Sequence, residues 1–430
     1  MENSLGKRDA DVIWHPYTQH KNLDLPVPIV RGEGTLLFDE SGNSYIDAIS
    51  SWWVNLHGHA HPYIAEKLYQ QARTLEQVIF TNFTHEPAVL LAERLLRILP
   101  GNLSKIFYSD NGSTSVEVAL KMAIQFWKNQ GSPQRNKILA FENAYHGDTF
   151  GAMSVSGRGL FTDAFRELLF DVIFIDTPQD SNLDQLKSVI QSQEGKVAAF
   201  IYEPLLQGAG GMRMYESANM NGLLEFVQKQ NIICIADEVL TGFGRTGTLF
   251  ASEQITHPPD IICLSKGLTG GTMALGVTAC SKTIFDAFLS DDRSKTFFHG
   301  HSYTANPLAC AAGIASLDLL EEKSCRERIE SIQRQHQSFI KNELSVVSHG
   351  LFENVRSLGT ILAFEFKSGK NEYTNQAGRA ILKEAMSAGI YLRPLGNTVY
   401  VLPPYCINEN QLRAIYDFIL SIPARVKLNA

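Results

Sequence analysis

From about residue 85 the apolar and polar positions fall into a steady rhythm. Leu and Ala recur across Pro87–Leu99 as they do along one face of a helix. Lys105–Ser109 then predicts a short strand, and a Gly turn leads into a helix over Val116–Trp127. Further strands are predicted at Lys137–Phe141, Asp171–Asp176, Val197–Tyr202, Ile232–Ala236 and Ile261–Leu264. These runs are continuously apolar instead of alternating, which suits strands covered on both faces. Alternating with helical segments of roughly 10–15 residues, they predict an α/β fold around a mainly parallel sheet. The stretch before about Leu56 is rich in Pro, Gly and aromatics. It reads as loops with short strands at Thr35–Asp39 and Ser44–Ile49. After Asn306-Pro307 a helical pattern runs from Leu308 to Glu322 and on to Leu344. Strands at Ile361–Phe366 and Thr398–Leu402 and a helix over Glu409–Ile422 follow. The expected organisation is an N-terminal segment (1–55) packed with a small α+β domain (319–430), and a large domain (56–318) between them. The linker is expected at the end of the helix that follows Pro307.

Composition narrows the function classes. A length of 430 residues suggests about two or three domains. Lys+Arg 38 against Asp+Glu 45 gives −7, which argues against nucleic acid or an anionic membrane as partner. With 44% hydrophobic and 19% charged residues the chain is not a disordered one. No apolar run approaches the roughly 20 residues of a membrane span. The opening MENSLGKRDADVIWHPY is charged and lacks an apolar segment, so no secretory signal is expected. Six cysteines without a CxxC pair predict reduced, buried thiols of a cytoplasmic protein. His57, His59 and His61 form H-x-H-x-H, which in a strand would share one face. No acidic or Cys partner accompanies them in sequence, so they are expected to be a loop cluster and no metal is expected.

In open parallel sheets ligands bind beyond the carboxyl ends of the strands, so charges there attract notice. Ile232–Glu238 (IICIADE) carries Asp237 at such an end, and Pro259–Gly267 (PDIICLSKG) carries Lys266. Each charge taken alone is equally read as solvated or salt-bridged. Ser109–Thr114 (SDNGST) joins a strand to a helix through Gly112 and Ser113. Its free N–H groups and the positive helix end offer a phosphate cradle. Thr114 with Glu117 also fits a plain capping box, and the two readings are compatible. It is not a P-loop, since GxxxxGK(S/T) is absent. A lysine, a carboxylate and a phosphate cradle at strand ends together suggest pyridoxal 5'-phosphate. The lysine would form the Schiff base and the carboxylate would hold the pyridine nitrogen protonated. Tyr145, following the strand Lys137–Phe141, is placed to cover the ring.

Several motifs strengthen this reading: NGSTSVEVALKMA, AYHGDT, EPLLQGAGGM, ADEVLTGFGRTG, LSKGLTGG and HGHSYTANPLAC. In them the chain resembles the class III, fold-type I aminotransferases, from about Trp14 to Pro404. The resemblance implies a ping-pong amino transfer by a homodimer with shared active sites. WHPYTQ, SSWWVNLHGHAHP, QGAGGMRMY, LTGGTMALG and YLRPLGNTVYVLPPY narrow it to the branch that makes 7,8-diaminononanoate for biotin. That branch aminates 8-amino-7-oxononanoate, with S-adenosylmethionine or lysine as amino donor. Another class III ω-amino acid:ketoacid transaminase, or a non-catalytic binding protein on this scaffold, are the alternatives. By resemblance Lys266 is the Schiff-base lysine and general base, Asp237 pairs with the pyridinium, Gly112 and Ser113 hold the phosphate, and Tyr145 stacks on the ring. Gly300, His301 and Ser302 match a segment that reaches the phosphate of the neighbouring subunit. Glu203 matches an acid near the ring, or is a helix-starting or salt-bridged residue before Pro204. On the substrate side Arg393 offers a planar fork to a remote carboxylate. Trp52 and Trp53 wall an apolar chain, or are core or interface aromatics. Tyr17 contacts the amino-ketone end. Arg245, within GFGRTG, serves substrate or loop anchoring, or a structural ion pair.

Overall fold

The computed structural model describes residues 4–21, 24–347, 351–367 and 376–426. Seven strands make the central sheet: β1 (Leu103–Ser109), β2 (Lys137–Phe141), β3 (Val172–Ile175), β4 (Val197–Tyr202), β5 (Ile233–Asp237), β6 (Ile261–Leu264) and β7 (Gly276–Ser281). Their order is β1-β7-β6-β5-β4-β2-β3. Neighbours pair in parallel except at β7, which is antiparallel to both β6 and β1. The mainly parallel sheet therefore stands as expected. In β4, Phe200 and Tyr202 enter one apolar core while Ala199 and Ile201 enter the other. Burial on both faces is what a continuously apolar strand requires. β7 is absent from the predicted strands because Gly276, Thr278 and Ser281 interrupt its apolar run.

The helix after β1, α1 (Gly112–Asn129), starts four residues before the predicted Val116. Farther along, α2 (Pro307–Glu321) is capped by Asn306, whose side chain accepts from the Ala309 N–H, with Pro307 in the first turn. Glu322 is extended (ψ 137°) and breaks the expected continuous helix before Lys323–Phe339 resumes it. Phe352–Leu358, Ile361–Phe366 and Thr398–Val401 form a separate antiparallel sheet. Near the N-terminus, Ile29–Glu33, Leu36–Asp39 and Ser44–Asp47 form a third sheet. Ile390–Tyr391 joins it in parallel beside Ser44–Asp47. The strand predicted to Ile49 ends at Asp47, where the chain enters a turn with positive φ at Ser50 (53°), Ser51 (59°) and Trp53 (66°). All six cysteines are free thiols, and five are buried. Among the described residues no helix is long and apolar enough to cross a membrane.

Candidate active site

The parallel strands deliver their C-terminal ends to one edge of the sheet. Asp237 ends β5, Lys266 follows β6, Glu203 follows β4, Tyr145 follows β2, and Asp110–Ser113 link β1 to α1. All of them line one cavity of about 450 Å³. That size is within the usual range for a small ligand or cofactor.

Asp237 is buried, and its Oδ2 lies 2.7 Å from His146 Nδ1. Its Oδ1 accepts the Val239 N–H at 3.1 Å. His146 Nε2 is buried without a hydrogen-bond partner. Lys266 also lines the cavity, with Nζ 4.6 Å from the Trp53 ring centroid. Part of its side chain faces the cavity, yet its surroundings are dense. Burial brings its amine down to about 8, against the opposing pull of Asp237 and Glu203. At pH 7 roughly a tenth of such an amine is neutral, against about 0.03% for an ordinary lysine. Glu203 accepts the Tyr145 N–H (3.1 Å) and the Gly208 N–H (2.9 Å), and burial raises it to about 7. Among the described residues it neither starts a helix nor makes a salt bridge. It joins two loops at the cavity wall.

Gly112 and Ser113 occupy the first two helical positions of α1, where backbone N–H groups have no intrahelical acceptor. A Cβ on Gly112 would lie 2.8 Å from Val239 Cγ1, so glycine keeps the cradle open. The capping box is not the expected Thr114–Glu117. Asn111 Oδ1 accepts the Thr114 N–H, and Thr114 Oγ1 accepts the Asn111 N–H. Because the helix starts earlier than expected, Glu117 is already inside it. Its carboxylate accepts the N–H groups of Gly151 and Ala152 instead. A phosphorylated pyridine aldehyde fits this lining: an amine, a carboxylate braced by an imidazole, an aromatic wall and unpaired N–H groups.

A second cavity of about 530 Å³ adjoins the first and shares Tyr145, Gly147 and Ala209 with it. Tyr17 lies at its edge, its hydroxyl 3.1 Å from that of Tyr145 and donating to Asp148. Its ring contacts Trp52 (5.6 Å) and Phe161 (5.5 Å). The Arg393 guanidinium stacks on Trp52 at 4.1 Å. Trp53 is buried and donates its indole N–H to Tyr400 Oη at 3.0 Å. Arg393, Trp52, Tyr17 and Tyr145 thus form one chain of contacts, and Trp53, next to Trp52 in sequence, lies against Lys266. Burial, the hydrogen bond that Tyr145 donates to Tyr17 and the nearby Asp148 hold the Tyr145 phenol far above its ordinary range.

Other candidates lie apart. Arg245 is buried and donates to the carbonyl oxygens of Trp53, Asn55 and Pro403. It anchors the tryptophan loop and makes no ion pair among the described residues. Gly300, His301 and Ser302 are not in the lining of the cavity within one chain. The Ser302 carbonyl accepts from Gln77 Nε2. The three histidines are not in one strand. His57 contacts Ser316 Oγ, and His59 does have an acidic partner, since its Nε2 lies 2.9 Å from Asp47. His146, Asp148 and Thr272 also line these cavities without having been singled out. The motif AYHGDT contains the first two, but their partners are distant in sequence.

Residues 17–422 match the aminotransferase class-III family. An adenosylmethionine-8-amino-7-oxononanoate aminotransferase of Synechococcus elongatus is 47% identical, over 95% of this chain and 98% of its own. The crystal structure of the enzyme so named from Methanocaldococcus jannaschii superposes with a TM-score of 0.93 at 36% identity, covering 99% of each chain. An amine transaminase from an uncultivated Pseudomonas species, solved in the PLP-bound (internal aldimine) form, reaches 0.89 at 29% identity over 96% of this chain and 98% of its own. With the match spanning nearly the whole length and the strand-end residues gathered as described, this chain belongs to the class-III aminotransferases.

Proposed function

We propose that this enzyme aminates 8-amino-7-oxononanoate to 7,8-diaminononanoate, the biotin-pathway step, using pyridoxal 5'-phosphate and S-adenosylmethionine or lysine as donor. One observation carries the substrate choice. Arg393 is stacked on Trp52, whose ring contacts Tyr17, while Trp53 beside it in sequence lies against Lys266. The amino-ketone has a carboxylate, a methylene chain and a polar end, and these residues offer a cation, apolar rings and a hydroxyl. The curated relatives bear the name of the same reaction.

When bound, the cofactor supplies an electron sink for charge that develops on the substrate carbon. Lys266 would hold it covalently and would move the proton at the substrate carbon; its lowered affinity for protons leaves a usable neutral fraction near pH 7. Asp237, oriented by His146, would hold a positive charge at the pyridine nitrogen. The N–H groups at Gly112 and Ser113 would hold the phosphate, and in a homodimer Ser302 of the partner subunit would complete that site. Tyr145 covers the ring, and Tyr17 orients the amino-ketone end. Arg245 keeps the tryptophan loop in place.

A half-reaction assay tests this. The cofactor-loaded protein is exposed to one donor at a time while the cofactor absorbance is followed, then to the amino-ketone. Conversion by S-adenosylmethionine or lysine, reversed by 8-amino-7-oxononanoate, is expected. Reversal by common ω-ketoacids but not by the amino-ketone would replace this reading with the broader transaminase one.

A further inference from the structure

The turn that presents Trp52 and Trp53 is in an unfavourable conformation. Ser50, Ser51 and Trp53 all have φ between 53° and 66°, and none is glycine. Such backbone persists only where surroundings over-determine it. Arg245 holds the far end through the carbonyls of Trp53 and Asn55, and Ser50 Oγ donates to the Leu402 carbonyl at 2.8 Å. The near end is held by a single carboxylate. Asp47 is fully buried. Its Oδ1 accepts the N–H groups of Ile49 (3.3 Å) and Ser51 (2.9 Å). Its Oδ2 accepts from Ser51 Oγ and faces His59 Nε2, both at 2.9 Å.

The tautomer of His59 follows from its neighbours. Asn55 Oδ1 accepts the Gly58 N–H at 2.7 Å, which turns Asn55 Nδ2 toward His59 Nδ1 at 3.3 Å. Nδ1 is then the acceptor, so Nε2 carries the hydrogen and donates it to Asp47. His59 is itself fixed by backbone pairing with Gly34 in both directions (2.7 and 3.2 Å). The same carboxylate-bearing residue sets the second wall. Asp47 pairs in register with Tyr391, two residues before Arg393, and Ala48 donates its N–H to the Tyr391 carbonyl. One strand junction therefore aims both Trp52 and the arginine stacked on it.

We propose that Asp47 and His59 form a positioning pair for substrate selection: they set the left-handed turn at Ser50–Trp53 and thereby hold Trp52 against Arg393. Neither residue touches the reacting atoms. The selectivity part rests on the amino-ketone reading above; the positioning part does not.

Asp47→Asn keeps the acceptor for Ile49 and Ser51 but turns an N–H toward the N–H of His59. His59→Leu removes the donor, and His59→Gln restores an N–H of similar reach. On cofactor-loaded protein with saturating donor, Asp47→Asn and His59→Leu are expected to raise KM for 8-amino-7-oxononanoate roughly 5- to 30-fold, with kcat within about threefold. His59→Gln is expected to return KM to within about threefold of wild type. Thermal unfolding records whether each variant is folded, and the variants of His59, which is less buried than Asp47, carry the test if Asp47→Asn is not. Unchanged KM in the folded variants overturns the proposal, as does equal loss in His59→Gln and His59→Leu. Fluorine NMR of fluorotryptophan-labelled protein gives a second reading that needs no substrate. The Trp52 and Trp53 resonances should move in His59→Leu while those of Trp14 and Trp127 stay. If wild-type protein fails to use the amino-ketone, the proposed function falls; if the Trp52 and Trp53 signals stay in place, the positioning pair falls.

Discussion

Arg393→Ala removes the cation stacked on Trp52. Two of its interactions separate by assay. The first is the stack on Trp52 at 4.1 Å. Trp52 is 40% exposed, so the contact contributes about 0.5–1 kcal/mol. It exists in free and substrate-bound enzyme alike and therefore cancels from KM to first order, appearing as a small drop in Tm. The second is the charge-assisted contact to the substrate carboxylate, about 1.5–3 kcal/mol, which is roughly 10- to 150-fold in binding. It is present only with substrate and should appear in kcat/KM. The assay compares 8-amino-7-oxononanoate with an analogue lacking the carboxylate, each half-reaction measured separately because the donor also bears a carboxylate. Arg393→Lys should recover only part of the loss, since a point charge cannot reproduce the planar fork. Trp52→Phe should cost about threefold by loosening the platform beneath the guanidinium. If the carboxylate-free analogue loses as much as the natural substrate, the arginine acts through folding, and the substrate assignment loses its main support.

Lys266→Ala should still bind cofactor yet lose more than about 10⁴-fold in turnover. Borohydride reduction of wild type followed by peptide mapping should place the label on Lys266, and a label elsewhere sinks the assignment. Asp237→Asn should lower kcat at least about 100-fold, because a neutral amide cannot hold a charged pyridine nitrogen; kcat within a few-fold of wild type would make Asp237 structural only. Burial raises Glu203 to about 7 in the fold against an ordinary 4.5. Between those values the unfolded chain is ionised while the folded one stays protonated, so stability falls as pH rises from 4.5 to 7 and levels off above 7. The shift of 2.5 units corresponds to about 3 kcal/mol. Glu203→Gln should flatten this slope in cofactor-free protein, and equal slopes for both proteins would refute the burial argument.

The strand ends were legible because apolar runs point at them. β4 and β6 have the predicted bounds, and Asp237 and Lys266 are set off by contrast with the residues before them. The capping of α1 was misread because Thr114-x-x-Glu117 satisfies the local pattern, while Asn111 satisfies it three residues earlier in space and sequence. His146 and Asp148 carried no local signal: their partners Asp237 and Tyr17 lie 91 and 131 residues away. β7 and Phe352–Leu358 went unseen because polar residues interrupt both. Their strand character comes from the neighbours they pair with, which no window of sequence contains.

The conformations least visible in the sequence are those at the site. Lys266 (φ 41°), Tyr17 (53°), Trp53 (66°), Leu205 (64°) and Phe243 (63°) all adopt the left-handed region, where large side chains are disfavoured. Local preference would have placed glycine or asparagine there. Three of these five are fastened by distant partners: Tyr17 by Asp148, Trp53 by Arg245 and Tyr400, and Phe243 through its carbonyl, which accepts from Tyr405 Oη at 2.8 Å. The same surroundings that hold the backbone also bury Lys266 and Glu203, which lowers the amine and raises the acid toward neutrality. Rigid strands thus supply the positions, and the strain and the shifted charges follow from packing large side chains around a polar cavity. A sequence reading finds the first by periodicity and can find the second only through the tertiary contacts that impose it.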